Sequence, residues 1–190
     1  MTGKIEVICG SMFSGKSDEL LRRLERGQYA DKKITVYKPN RDTRYSKGVV
    51  KSRSGREMEC ISTSSAMDIL HHATANDTEI VGIDEIQFYP QDGIEFVVKE
   101  LANKGKRVIV SGLDMDYTGK PFEAIGRIMS RAEQVDKLTA ICVECGEEAT
   151  RTQRLVDGQP ASKDDDKIVV DKEFSNVKYE ARCRACHQVS

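Results

Sequence analysis

Residues 5–17 read Ile5-Glu-Val-Ile-Cys9-Gly10-Ser11-Met12-Phe13-Ser14-Gly15-Lys16-Ser17. The first five form a β-rich run and the next eight follow the spacing G-x-x-x-x-G-K-S. Leu20, Leu21 and Leu24 then recur at helical spacing, with Arg and Glu between them, as far as about Tyr29. Strand, glycine-rich turn and amphipathic helix in that order make a phosphate-binding P-loop. Phosphate oxygens need several donors converging without steric obstruction. Gly10 and Gly15 let backbone amides approach, and the following helix points its positive end at the anion. The loop Gly10, Ser11, Met12, Phe13, Ser14 and Gly15 is the cradle. Lys16 is placed to neutralise the β- and γ-phosphates, and Ser17 to offer its hydroxyl to Mg²⁺. The stretch therefore predicts a nucleoside triphosphate site.

A P-loop needs a second strand that delivers a carboxylate to the metal. Glu79-Ile-Val-Gly-Ile-Asp84 is an apolar strand ending in acid, with Glu85 directly after it. Two adjacent acids at a strand end can simply be solvated. Beside a P-loop, Asp84 becomes the Mg²⁺ partner, and Glu85 is left for general-base work on a water or a substrate hydroxyl. Sequence alone leaves hydrolysis and transfer both open.

Further along, Lys33–Lys38 and Arg107–Ser111 read as strands, and Ser62–His72 and Gly93–Asn103 as helices. Residues 40–60 carry Gly48 and Gly55 among many charges and read as a loop with a weak hairpin. The alternation predicts an α/β fold with a mostly parallel sheet covered on both faces. After about Lys137 the texture changes to short strands, paired cysteines and the acidic run Asp164-Asp-Asp166. Residues 1–137 are thus expected to form the P-loop domain and 138–190 a second, smaller one.

At 190 residues the chain can bury a real core. Thirty Lys and Arg against thirty-one Asp and Glu leave a formal charge of -1, so no global field gathers nucleic acid or acidic membrane. No run of about 18 consecutive apolar residues occurs, which predicts a soluble, cytoplasmic protein. Cys9 and Cys60 read as small buried hydrophobes. The other four cysteines form two C-x-x-C pairs, Cys142/Cys145 and Cys183/Cys186, the ligand number of a closed tetrahedral Zn²⁺ site. Two readings compete with zinc. Cys183–His187 spells the C-x-x-C-H haem-attachment signal, and C-x-x-C thiols can be redox active. With four thiolates filling the shell, His187 reads as an exposed neighbour.

Taken together, these residues resemble the type II thymidine kinases, a family with human cytosolic and bacterial members. The matching stretches are Gly10–Ser17, Lys38-Pro-Asn-Arg-Asp42-Thr-Arg44-Tyr45, Ile83-Asp-Glu-Ile-Gln87-Phe88, Gly112-Leu-Asp114 through Pro121-Phe122, Lys137-Leu-Thr-Ala-Ile-Cys142 and the last C-x-x-C. The resemblance implies ATP-dependent phosphorylation of the thymidine 5′-hydroxyl, and of deoxyuridine, in a RecA-like domain with a zinc-binding lasso. It gives Glu85 the role of general base and places Asp42 and Arg44 near the transfer centre. It places Gln87 and Phe88 near sugar and base, and Met12, Leu113, Tyr117 and Phe122 in an apolar nucleoside wall. Tyr117 stands where the family more usually has Phe, keeping the aromatic face and adding a hydroxyl. Ile168, Val169 and Val170 align with the lasso segment over the base, and Tyr179 with a tyrosine that closes the site. Between them, Asp171–Lys178 is longer than the family's segment and has no glycine. A homotetramer and feedback by thymidine triphosphate are also implied.

Two other classes share parts of this pattern. A RecA-like DNA-binding ATPase would concentrate Lys, Arg and stacking aromatics on one element. Here bases and acids intermingle and aromatics are 6% of residues, which disfavours a nucleic-acid partner. A GTPase would follow Asn103-Lys104 with an Asp, and this chain continues Gly105-Lys106.

Overall fold

The computed structural model describes residues 3–40, 48–166 and 176–190. Asp42, Arg44, Ile168, Val169 and Val170 lie outside the described residues.

Strand β1 (Lys4–Gly10) runs through the P-loop into α1 (Lys16–Gln28) and β2 (Ile34–Lys38). A hairpin of β3 (Val49–Lys51) and β4 (Glu57–Glu59) follows, then β5 (Ile61–Ser62) and α2 (Ala66–Ala75). Next come β6 (Ile80–Ile83), a 3₁₀ turn at Ile86–Phe88, α3 (Gln91–Asn103), β7 (Arg107–Gly112), α4 (Glu123–Met129) and β8 (Gln134–Leu138). Six of these strands make one sheet in the order β5-β2-β6-β7-β1-β8, and every pairing is parallel. The expected α/β architecture is therefore present. The helix expected over Ser62–His72 is shifted: Ser62 ends a strand, and α2 starts after Ser65, whose hydroxyl caps it by accepting from the Asp68 amide at 3.2 Å.

Successive side chains of a strand face opposite ways, so β1 feeds two cores. Ile5, Val7 and Cys9 join the cluster under α2, α3 and α4, with Ile69, Val97, Leu101 and Ile125. Ile8 joins Leu20, Leu21 and Leu24 of α1 and Val50 of the hairpin on the opposite face. Burial pushes the Cys9 thiol up to about 11, so it behaves as a hydrophobe; Cys60 is half-buried against the α1-side core.

Glu6 shares the face of Ile8 and is 1% exposed beneath Arg23 of α1. Its oxygens meet Arg23 at 3.0 Å, Arg107 at 2.7 Å and Lys4 at 2.5 Å, and Arg23 also reaches Glu19 and Asp136, each at 2.7 Å. Burial by itself would raise the Glu6 pKa, but Arg107 and Lys4 more than offset it and hold the carboxyl at about 2 against an ordinary 4.5. The depressed folded value means the network stabilises fully above pH 4.5 and is lost as pH falls toward 2. In thermal melts across that window Glu6→Gln should flatten the acid limb, and at neutral pH it should cost about 3 kcal/mol, the free energy corresponding to the depressed Glu6 pKa. An unchanged acid limb would remove Glu6 as its source.

Beyond β8 the chain forms a compact unit: β9 (Ala140–Ile141) with β10 (Glu148–Ala149), and β11 (Arg151–Val156) between β12 (Gln159–Pro160) and β13 (Val177–Arg182), all antiparallel. Among its described residues, Ala140, Cys142, Ala149 and Ala181 form a small apolar cluster, with Cys183 and Cys186 against them.

Candidate active site

The parallel sheet gathers its functional residues at the C-terminal ends of β1, β6 and β7. Gly10 has φ 140°, and a Cβ there would stand 2.2 Å from the Leu138 carbonyl oxygen, so only glycine lets β1 turn beside β8. Gly15 sits left-handed at φ 85° as the residue before α1. Between them the Ser14 hydroxyl and the Lys16 ammonium both donate to the Ser11 carbonyl, at 2.8 and 2.7 Å. Phe13 is also left-handed, at φ 69°, 38% exposed, and lies under the Arg53 guanidinium of the β3–β4 hairpin at 4.1 Å. The expected weak hairpin thus packs on the phosphate loop.

Strand β7 separates β1 from β6, so Asp84 must meet the start of α1 across a strand. It does: the Ser17 hydroxyl donates to Asp84 Oδ2 at 3.2 Å. From β7 between them the Ser111 hydroxyl donates to Asp84 Oδ1, and the Glu85 amide reaches the same oxygen at 3.0 Å. Asp84 is buried, and the Ser17, Ser111 and Glu85 donors orient its carboxylate. Sequence reading missed Ser111. A polar residue ending an otherwise apolar strand was the available signal.

Glu85 holds φ 51° and ψ 45°, a left-handed backbone uncommon for a residue with a Cβ, and it opens the 3₁₀ turn. Such strain persists where surrounding structure over-determines it. Here Gln87 Nε2 donates to Glu85 Oε2, and the buried Gln87 accepts the Leu113 amide at 3.1 Å through its Oε1. Glu85, Gln87 and Leu113 are thus one connected group.

Residues 113–122 fold back on themselves: the Asp116 and Phe122 amides donate to Lys120 and Asp114 carbonyls, and the buried Asp116 carboxylate accepts from the Thr118 and Lys120 amides. That turn carries Leu113, Tyr117 and Phe122 together. Met12, Phe88, Leu113, Phe122 and Tyr179 are each half-buried, whereas Tyr117 is buried. Tyr179 lies on β13 opposite Arg154. The C-terminal unit also touches the phosphate loop: the Met12 amide donates to Thr152 Oγ1 at 3.0 Å and the Ser11 hydroxyl to the Ala149 carbonyl at 3.3 Å.

The Sγ atoms of Cys142, Cys145, Cys183 and Cys186 all lie within 4.8 Å of one another. Cys145 and Cys183 stand 3.6 Å apart, far beyond a disulfide bond and close to the edge of about 3.8 Å of a tetrahedron with Zn–S near 2.3 Å. Burial resists ionisation of Cys142, but the amides of Cys183, Cys145 and Glu144 outweigh it and draw the thiol down to about 6. The donor set fits a structural metal such as zinc. His187 is half-buried, contrary to its expected exposure, because its Nε2 pairs with the Tyr117 carbonyl at 2.8 Å.

A parallel sheet with a P-loop, an opposed buried aspartate and a four-cysteine cluster defines a P-loop nucleotide-binding enzyme with a metal-ready appendage. The family model for thymidine kinase matches residues 3–187, and the chain belongs to that family. Its activity is accordingly phosphorylation of thymidine, with nucleotide and thymidine as substrates. Among solved structures, the flagellar accessory protein FlaH from Methanocaldococcus jannaschii is similar at TM-score 0.52 and 11% identity, over 76% of this chain and 74% of that one, a likeness of fold alone. Domain III of the Thermotoga maritima replication initiation protein DnaA overlaps less closely, at TM-score 0.41 and 14% identity, over 70% of this chain and 54% of that one. No helix among the described residues is long and apolar enough to cross a membrane.

Proposed function

We propose that the chain transfers the γ-phosphoryl group of ATP to the 5′-hydroxyl of thymidine, with deoxyuridine as a second acceptor. The observation that carries this reading is Glu85, held beside the Ser17–Asp84 pair and tied to the acceptor-side turn through Gln87 and Leu113. The loop amides of Gly10–Ser17 and the Lys16 ammonium bind the triphosphate. Ser17 and Asp84 would hold Mg²⁺, which when bound neutralises charge on the β- and γ-phosphates. Glu85 accepts the proton of the 5′-hydroxyl as that oxygen bonds to the γ-phosphorus. The bond from phosphorus to the β–γ bridging oxygen breaks and ADP departs. Met12, Gln87, Phe88, Leu113, Tyr117, Phe122 and Tyr179 surround the nucleoside in this reading. Arg44 and residues 168–170 complete it from the segments outside the described ones.

A division at residue 137, cytoplasmic action, a homotetramer and inhibition by thymidine triphosphate belong to the same reading, supported by family membership. Thiolates of Cys142, Cys145, Cys183 and Cys186 would hold zinc, whose contribution is cross-linking the C-terminal unit. A nucleoside panel with ATP and Mg²⁺ tests the proposal: thymidine should give its 5′-monophosphate, with deoxyuridine turned over as well. Turnover only with another donor, or ATP hydrolysis stimulated by DNA and not by nucleoside, would overturn it.

A further inference from the structure

Tyr117 makes contacts that a plain apolar wall does not require. The residue is 3% exposed, and its hydroxyl lies between two backbone carbonyls of the C-terminal unit, Ser162 at 2.7 Å and Asp165 at 2.9 Å. Arg154, itself 1% exposed, lays its guanidinium on the ring at 3.7 Å. The same guanidinium donates to the Asp166 carbonyl at 2.5 Å and pairs with the Asp165 carboxylate at 3.3 Å. On the other side, His187 takes up the Tyr117 carbonyl. Residues 162–166, β11 and the C-terminal tail therefore all converge on one tyrosine of the acceptor-side turn. Arg154 Nε has no hydrogen-bond partner among the described residues, so the guanidinium is held by its stack and its other nitrogens.

A buried arginine is tolerated when its charge is paired and most of its donors are used, and the guanidinium over the ring face adds a cation–π attraction. From this convergence we infer that Tyr117 is a positioning residue: its hydroxyl, backed by Arg154, locks residues 162–166 against the nucleoside wall and so sets acceptor affinity. The hydroxyl touches protein carbonyls and not the reacting atoms. It acts through the turn it fixes. This inference rests on the nucleoside reading proposed above.

Tyr117→Phe keeps the ring and deletes only the shared hydroxyl. It should raise KM for thymidine about three- to ten-fold, the range of one buried hydrogen bond, while kcat at saturating thymidine and KM for ATP stay near wild type. Amide exchange of Lys163 and Asp165, whose N–H groups now donate to Ser190 and Ser162, should quicken in the same variant. A lowered melting temperature with thymidine KM unmoved would make the hydroxyl merely structural and overturn the inference. Unchanged exchange at Lys163 and Asp165 would overturn it equally. If the wild-type enzyme bound and turned over no thymidine, the nucleoside reading itself would fall; a wild type active on thymidine with an indifferent Tyr117→Phe sinks the clamp alone.

Discussion

Glu85→Gln is expected to lower kcat by about 10²- to 10⁴-fold, the span ordinarily contributed by a positioned general base, and to leave KM for ATP near wild type. Glutamine keeps the size and can still hydrogen-bond to Gln87, so the left-handed turn at φ 51° has no new steric reason to relax. What it cannot do is accept the hydroxyl proton. In the proposed reading the triphosphate is held by other groups, the loop amides, Lys16, Ser17 and Asp84, which is why donor affinity should survive. Steady-state kinetics with both substrates varied check this. An equal loss of ATP affinity would place Glu85 in metal or phosphate binding and remove it as base.

Removing the zinc proposed for the cysteine quartet is expected to have the second largest effect. Among the described residues the apolar cluster around the cysteines is Ala140, Cys142, Ala149 and Ala181, and burying such small side chains yields only about 1 kcal/mol each. A structural Zn²⁺ on four thiolates contributes about 10–16 kcal/mol at neutral pH, so the metal outweighs that core. Cys183→Ser, or a strong chelator, should therefore loosen residues 138–190, lower the melting temperature and abolish most thymidine turnover while the parallel sheet keeps its circular dichroism. Zinc release followed by colour change of a chelating dye gives the metal content independently. A metal-free protein with full activity and an unmoved melting curve would show that thiols and alanines suffice.

The phosphate loop, the acid pair and the cysteine quartet were legible in the sequence because their chemistry is written in local spacing. Gly10 to Ser17 sits between a strand and a helix, and two C-x-x-C pairs have few other uses in a chain of this kind. What stayed hidden depends on register between distant strands. Nothing near Ser111 says that β7 falls between β1 and β6 and so brings its hydroxyl to Asp84. Likewise Glu6 looks like the polar position of an alternating strand, and only the packing of α1 shows it buried beneath Arg23. The start of α2 was misplaced because Ser62 and Ser65 are both plausible caps, and pairing of Ser62 with Lys38 in the sheet decides between them. Tyr117 read as a substitution that adds a hydroxyl; the two carbonyls that use it lie 45 and 48 residues away.

The hydrogen bond from the Met12 amide to Thr152 joins the phosphate loop to the C-terminal unit, which in the proposed reading faces the acceptor. Two ligands that each bias one shared contact must influence one another reciprocally. Whatever factor a bound triphosphate adds to thymidine affinity through Thr152, thymidine must return to the triphosphate, so the order of addition becomes a kinetic choice laid over a single thermodynamic coupling.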